Sequence, residues 1–156
     1  MKDNQKAKKH QRRGRPYIKN PITQLSVIEQ SGMVLFHKSY VNTNVDEVLF
    51  SGFSAAIVVF ARELGTKLYN IQMEQFKFYF NDSKTYFIVG GFHPKVWRRD
   101  IKKMIQDISD DLRAIELSEM IKKGVFYIPE EFQSLIIQRM NELQIKYLLR
   151  KKEDRS

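Results

Sequence analysis

Apolar and polar positions alternate along residues 24–29 (QLSVIE) and resume along 33–39 (MVLFHKS), with the turn residues Gln30, Ser31 and Gly32 between them. That pattern predicts a β-hairpin. Asn42, Thr43 and Asn44 then supply a loop and candidate N-caps. Asp46 and Glu47 place negative charge in the first turn of a helix that runs to about Leu64 and stops at Gly65. Three aromatic and β-branched segments follow, at 70–74, 76–80 and 85–91, with a bend at Gln75 and a turn at Asn81-Asp82-Ser83; they read as antiparallel strands, the last ended by Gly90-Gly91. From Pro94 the period changes. Val96, Trp97, Ile101, Met104, Ile105, Ile108, Leu112 and Ile115 recur every three or four residues and predict an amphipathic helix over 94–121. After a connection at 122–128, Pro129 restarts a helix to about 150, with Phe132, Ile136, Met140, Leu143 and Tyr147 on one face. The order is ββαβββαα, an α+β arrangement in one domain over 21–150, preceded by a basic disordered arm (1–20) and followed by a charged tail (151–156).

The first helix departs from the usual amphipathic form. Between Val48 and Ala61 it has no charged residue, and only Ser51, Gly52 and Ser54 break its apolar character. Leu49, Phe53, Ala56, Ile57 and Phe60 form one face, assigned to the sheet; Phe50, Ala55, Val58 and Val59 are left pointing elsewhere. Gly52, Ser54, Ala55 and Ala56 would let a second backbone approach closely. The expectation is a partner or dimer interface that includes Phe50, Gly52, Ser54, Ala55 and Val58. Phe36, His37, Lys38 and Tyr40, on and beside the edge strand, are assigned to the same interface.

Composition changes this picture in two respects. With 156 residues and no cysteine, the chain suits one domain without disulfides or thiolate chemistry, compatible with a reducing cytosol. The longest apolar run, Ala55 to Ala61, is too short for a membrane span, and the N-terminus lacks a signal core. Net charge is +9 but unevenly placed. Residues 1–19 carry eight basic side chains against Asp3, whereas 20–149 carry fifteen basic and fifteen acidic ones. Lys6, Lys8, Lys9, Arg12, Arg13 and Arg15 therefore form a candidate arm for an anionic membrane or a nucleic acid, set against a merely solubilising extension.

Catalytic sets are hard to assemble. His10, His37 and His93 lack a second histidine or carboxylate at ligand spacing, and Asp107, Asp110 and Asp111 sit among Lys102, Lys103 and Arg113, as on a solvated helix face. Gly90-Gly91 lacks the Gly-Lys-Ser/Thr continuation of a phosphate loop. No enzyme activity, metal or cofactor is expected. A small ligand held between sheet and helices is a minor alternative.

The hairpin Ser31-Gly32-Met33-Val34-Leu35-Phe36, the following His37-Lys38-Ser39-Tyr40, the helix start at Asp46-Glu47 and the run from Leu49 to Ile57 ending near Arg62-Glu63-Leu64 resemble the longin/roadblock group of domains. More narrowly they are similar to the first longin domain of Fuzzy/Mon-type trafficking proteins and to small archaeal relatives, over about residues 22–121. The resemblance implies a profilin-like, five-stranded antiparallel sheet in the order 2-1-5-4-3, with one helix on one face and two on the other. It also implies a non-enzymatic scaffold that dimerises with itself or with another longin or roadblock-like chain. Such a scaffold binds or regulates a small Ras-like GTPase in vesicle-mediated transport or related processes, in the cytoplasm or peripheral to a membrane. Roadblock domains begin with an additional helix that this order lacks, and the coiled coil and anchor of a longin SNARE are also missing from it. The runner-up reading is a nucleic-acid or anionic-membrane binder acting through the N-terminal arm.

Overall fold

The computed structural model describes residues 14–41 and 46–154, with side chains as far as residue 149. Five strands, β1 (Ile22–Glu29), β2 (Val34–Ser39), β3 (Asn70–Gln72), β4 (Lys77–Asp82) and β5 (Tyr86–Phe92), form one antiparallel sheet in the order β2-β1-β5-β4-β3. Helix α1 (Glu47–Glu63) covers one face; α2 (Arg98–Ala114), the short α3 (Leu117–Lys122) and α4 (Glu130–Asp154) cover the other. The five-stranded order and the placement of helices match the expected architecture. β3 is shorter than expected, and the helix expected over 94–121 is two helices. The break lies at Glu116, whose φ of 54° turns the chain so that Leu117 and Ile121 both enter the core.

Alternation along the strands splits the core in two. Leu25, Val27, Tyr79, Ile88 and Phe92 face α2 and α4, whereas Phe80, Phe87 and Val89 face α1. Gly90 and Gly91 do not end β5 but lie inside it. A Cβ on Gly90 would stand 2.7 Å from the Phe92 ring, and one on Gly91 would stand 2.6 Å from Thr23 Oγ1 and 3.0 Å from the Phe78 ring. The glycines are there because side chains lie across the backbone at both positions.

The ordered domain begins earlier than residue 21. Ile18 is buried, and its N–H donates to the Tyr147 carbonyl of α4 at 3.3 Å. Arg15, expected in a disordered arm, grips Asp100 in α2 with two hydrogen bonds, Nε to Oδ2 at 2.8 Å and a terminal nitrogen to Oδ1 at 2.9 Å. The Tyr147 hydroxyl donates to Asp100 Oδ2 at 2.6 Å and accepts from the Trp97 N–H at 2.8 Å. The physical reason is local: Asp100 is the one acid in a run containing Lys95, Arg98, Arg99, Lys102 and Lys103. Its carboxylate is almost fully buried and requires a matched cation. Lys6, Lys8, Lys9, Arg12, Arg13 and any helix preceding β1 before residue 14 lie outside the described residues.

Candidate functional site

Helix α1 starts at Asp46, whose carboxylate accepts from the N–H groups of Val48 and Leu49 at 2.8 and 3.4 Å. The candidate caps Asn42, Thr43 and Asn44 lie outside the described residues. Along the helix the two faces are reversed from the sequence assignment. Ser51, Ser54, Ala55, Val58 and Ala61 are buried against the sheet, while Leu49, Phe53 and Phe60 are 71%, 57% and 62% exposed. The stripe exists at the expected spacing but looks outward.

Size complementarity explains the reversal. The sheet face beneath α1 already carries Phe78, Phe80 and Phe87, so the helix fits closely only through small side chains. It comes so near the hairpin turn that a Cβ on Gly32 would stand 3.7 Å from the Gly52 Cα. Ser54, Ala55 and Val58 are therefore largely turned to the sheet, contrary to expectation, although Ser54 lines the groove described next and Ala55 a shallow hollow beside Gly52, which is open. Phe50 is half-buried, its ring 5.6 Å from that of Phe78.

Beside the outward stripe, Phe50, Phe53, Ile71, Met73, Phe76 and Phe78 line an apolar groove of about 260 Å³ between α1 and the β3–β4 hairpin. Val48 and Leu64, at the two ends of α1, are also exposed. β3 pairs with β4 alone, so its outer backbone edge adjoins the groove.

The edge-strand candidates are differently placed. Phe36 is buried in the α2/α4 core and cannot meet a partner. The Nδ1 of His37 lies 2.7 Å from Ser26 Oγ, Lys38 holds its ammonium 5.6 Å from the Tyr40 ring centre, and the Tyr40 hydroxyl donates to Asn141 Oδ1 at 2.6 Å. Lys38 and Tyr40 lie toward α4, whereas His37 shares the α1 face of the sheet with Ser26, and the groove reaches that side of the sheet through Thr23 and Gln24 of β1, the strand paired with β2. Of the edge-strand set, Phe36 is the residue withdrawn into the core.

The other histidine and aspartate candidates among the described residues are engaged structurally. Burial, and then Lys95 and Lys77, lower the His93 imidazole, whose Nδ1 accepts from the Lys95 N–H at 3.1 Å. Asp107 pairs with Lys103, Asp110 with Arg113, and Asp111 with Arg139 of α4, at 3.0 to 3.1 Å. Among the described residues no cluster of histidine and carboxylate side chains could hold a metal ion, and no helix is long and apolar enough to cross a membrane. What the reading from sequence missed is the direction of the stripe. Its signal was present in Ser51, Ser54, Ala55, Val58 and Ala61, a second set at helical spacing made of residues small enough to lie on an aromatic sheet.

No known family profile matches the sequence, and no curated protein does. Solved structures do resemble the fold. The roadblock/LC7 domain from Streptomyces avermitilis superposes with a TM-score of 0.55 at 6% identity, over 62% of this chain and 87% of that one. Myxococcus xanthus MglB does so with a TM-score of 0.52 at 14% identity, over 65% and 85%. The gliding protein MglB from Thermus thermophilus is matched at 18% identity with a TM-score of 0.40, over 46% of this chain and 61% of that one. At these identities the likeness is one of fold: the chain has the roadblock/longin type of sheet and helices.

Proposed function

We propose that this chain is a non-enzymatic interaction scaffold that pairs through the outward face of α1 and binds or regulates a small Ras-like GTPase, in membrane-traffic-type processes on the cytoplasmic side. The observation that carries the pairing is the stripe Leu49, Phe53, Phe60 and Leu64, all exposed on a helix with no charge between Val48 and Ala61. A monomer gains nothing from aromatic side chains in water, and an apolar area of this kind marks a protein contact. Two copies set α1 against α1 would bury the stripes and bring the open β3 edges within reach of each other. The helix is about 25 Å long, a length suited to the roughly 800 Å² that each partner contributes to a stable interface. Supporting the GTPase part are the fold shared with the roadblock/LC7 domain and the resemblance of residues 31–64 to longin and roadblock sequences.

Sedimentation velocity of the full chain and of a Phe53→Glu/Phe60→Glu variant tests pairing. The expected result is a dimer converted to a monomer at micromolar concentration, with the thermal melt preserved. A wild-type chain that sediments as a monomer throughout, or a variant that stays dimeric, contradicts the pairing. Light scattering of the chain mixed with small GTPases in GDP, GTP-analogue and nucleotide-free forms tests the second part, with capture expected in one nucleotide state. Indifference to every GTPase in all three states contradicts it.

A further inference from the structure

On the opposite face of the sheet from α1, where the start of α2 overhangs β4, a cavity of about 350 Å³ is lined by Lys67, Arg98 and Lys102 together with Tyr79, Asn81 and Asp82. Its three cations come from two places in the sequence: Lys67 precedes β3, and Arg98 and Lys102 lie one turn apart on α2. None of the three is ion-paired with a carboxylate among the described residues. Asp82 lies near enough to feel the charge of Lys67. It does not neutralise the set, because its carboxylate is already gripped by two nitrogens of the Arg62 fork and accepts from the Lys84 N–H at 2.9 Å. Like charges gathered on one concavity repel each other, and an anion in their midst relieves that cost.

A second observation is independent of the charges. Tyr79 lines this cavity as well: most of the residue is buried, while its hydroxyl, which has no hydrogen-bond partner among the described residues, is open to a ligand. A phenolic hydroxyl can donate one hydrogen bond to an oxygen placed there. Beside it the Asn81 side chain contributes amide donors. The inventory is therefore three cationic groups and two neutral donors around one concavity of small-ligand size. Oxygen atoms clustered on one centre with two or more negative charges fit that set, and the planar fork of Arg98 suits such oxygens in particular.

From this we infer that the cavity binds a phosphoryl group carried by a small molecule or by a lipid headgroup. Arg98 and Lys102 hold the charge, Lys67 closes the far side, and Tyr79 and Asn81 donate to the remaining oxygens. The surroundings favour the same ligand chemistry: Lys95, Arg99 and Lys103 continue the positive surface around the start of α2. Trp97 offers no open platform for a nucleobase, since the guanidinium groups of Arg15 and Arg99 already lie over its ring, 5.3 and 4.8 Å from the centre. The inference is independent of the pairing reading, which rests on the outward face of α1.

The test uses the full chain and two probes, inorganic pyrophosphate followed by calorimetry, and phosphatidylcholine vesicles with and without 5% phosphatidylinositol 4-phosphate followed by co-sedimentation. Pyrophosphate binding that falls at least tenfold in Arg98→Glu/Lys102→Glu supports the site with a soluble ligand. Binding only to the phosphoinositide vesicles, with the same loss, supports it with a lipid headgroup. Arg98 and Lys102 are exposed, so the double variant should keep its fold, which a thermal melt checks. Tyr79→Phe keeps the buried ring and removes only the hydroxyl; a several-fold loss of the same binding is expected from it. The proposal is overturned if neither probe binds, or if binding stays within twofold of wild type in both variants.

Discussion

Asp100 shows how much one side chain can organise. Burial alone would push its carboxyl up, but the hydrogen bonds from Arg15 and Tyr147 outweigh it, and the group lies below the ordinary carboxylate range. Burial and the adjacent carboxylate raise the Tyr147 phenol, so tyrosine remains the donor in this pair. A carboxyl with a lower pKa in the folded chain than in the unfolded one contributes stability that is fully present above its ordinary value of about 4 and is lost as pH falls through the folded value. Arg62 holds Asp82 below its ordinary value in the same way, against the opposing effect of burial. Asp100→Asn should therefore lower stability at pH 7 by about 2 kcal/mol, a figure kept small because the Arg15 side chain is a third exposed and solvent screens it. It should also flatten the loss of stability between pH 5 and 2 (approximate bounds). Urea titrations of both proteins across that range check the sign; a difference that does not shrink on acidification contradicts the assignment. The left-handed Glu116 is a second place where one residue decides, because only that turn brings Leu117 under α2.

At the scale of the element, α1 illustrates why periodicity reveals a stripe but not its direction. The helix carries two apolar sets, one large and one small, and hydrophobicity alone favours giving the large one to the core. Packing reverses the choice because Phe78, Phe80 and Phe87 already fill the sheet's side of the interface. The consequence can be measured with a pair of substitutions. Ala55→Leu should overpack the helix against the sheet and cost roughly 1–3 kcal/mol. Phe53→Glu, although the larger chemical change, should leave the stability of the isolated chain within about 0.5 kcal/mol. Equal losses from the two, read from denaturant midpoints at a concentration where the chain is monomeric, would contradict the orientation of α1. The hairpin, the three later strands and α4 were legible to within a few residues, because their alternation or helical repeat is uninterrupted. The break at 115–116 was not, since its apolar residues keep a helical spacing on both sides and neither glycine nor proline marks the turn.

Across the whole molecule, the N-terminal segment closes the fold. Residues 14–18 bridge α2 and α4 through Arg15 and Ile18, so removal of residues 1–13 and removal of residues 1–17 should differ sharply. The longer deletion loses the Arg15 grip on Asp100 and should destabilise by about 2 kcal/mol, roughly 4–8 °C in melting temperature for a domain of this size. The shorter one removes none of the contacts described for Arg15 or Ile18 and should melt with the full chain. Equal melting of the two deletions would remove Arg15 from the account of stability. The same assembly gathers cations. Residues 20–149 are neutral by count, yet Lys67, Arg98 and Lys102 converge on one cavity, and Lys95, Arg99 and Lys103 extend it.

The element order, the antiparallel hairpins and the unusual lack of charge in α1 follow from the sequence by itself, because each is written in local alternation, turn residues and composition. The side of α1 that meets water, the apolar groove that joins α1 to the β3–β4 hairpin and to β1, and the joining of Arg15, Asp100 and Tyr147 belong to the tertiary structure alone. These depend on which surfaces already hold large side chains and on which distant charges share a buried space, and neither quantity exists until the sheet and its helices are assembled.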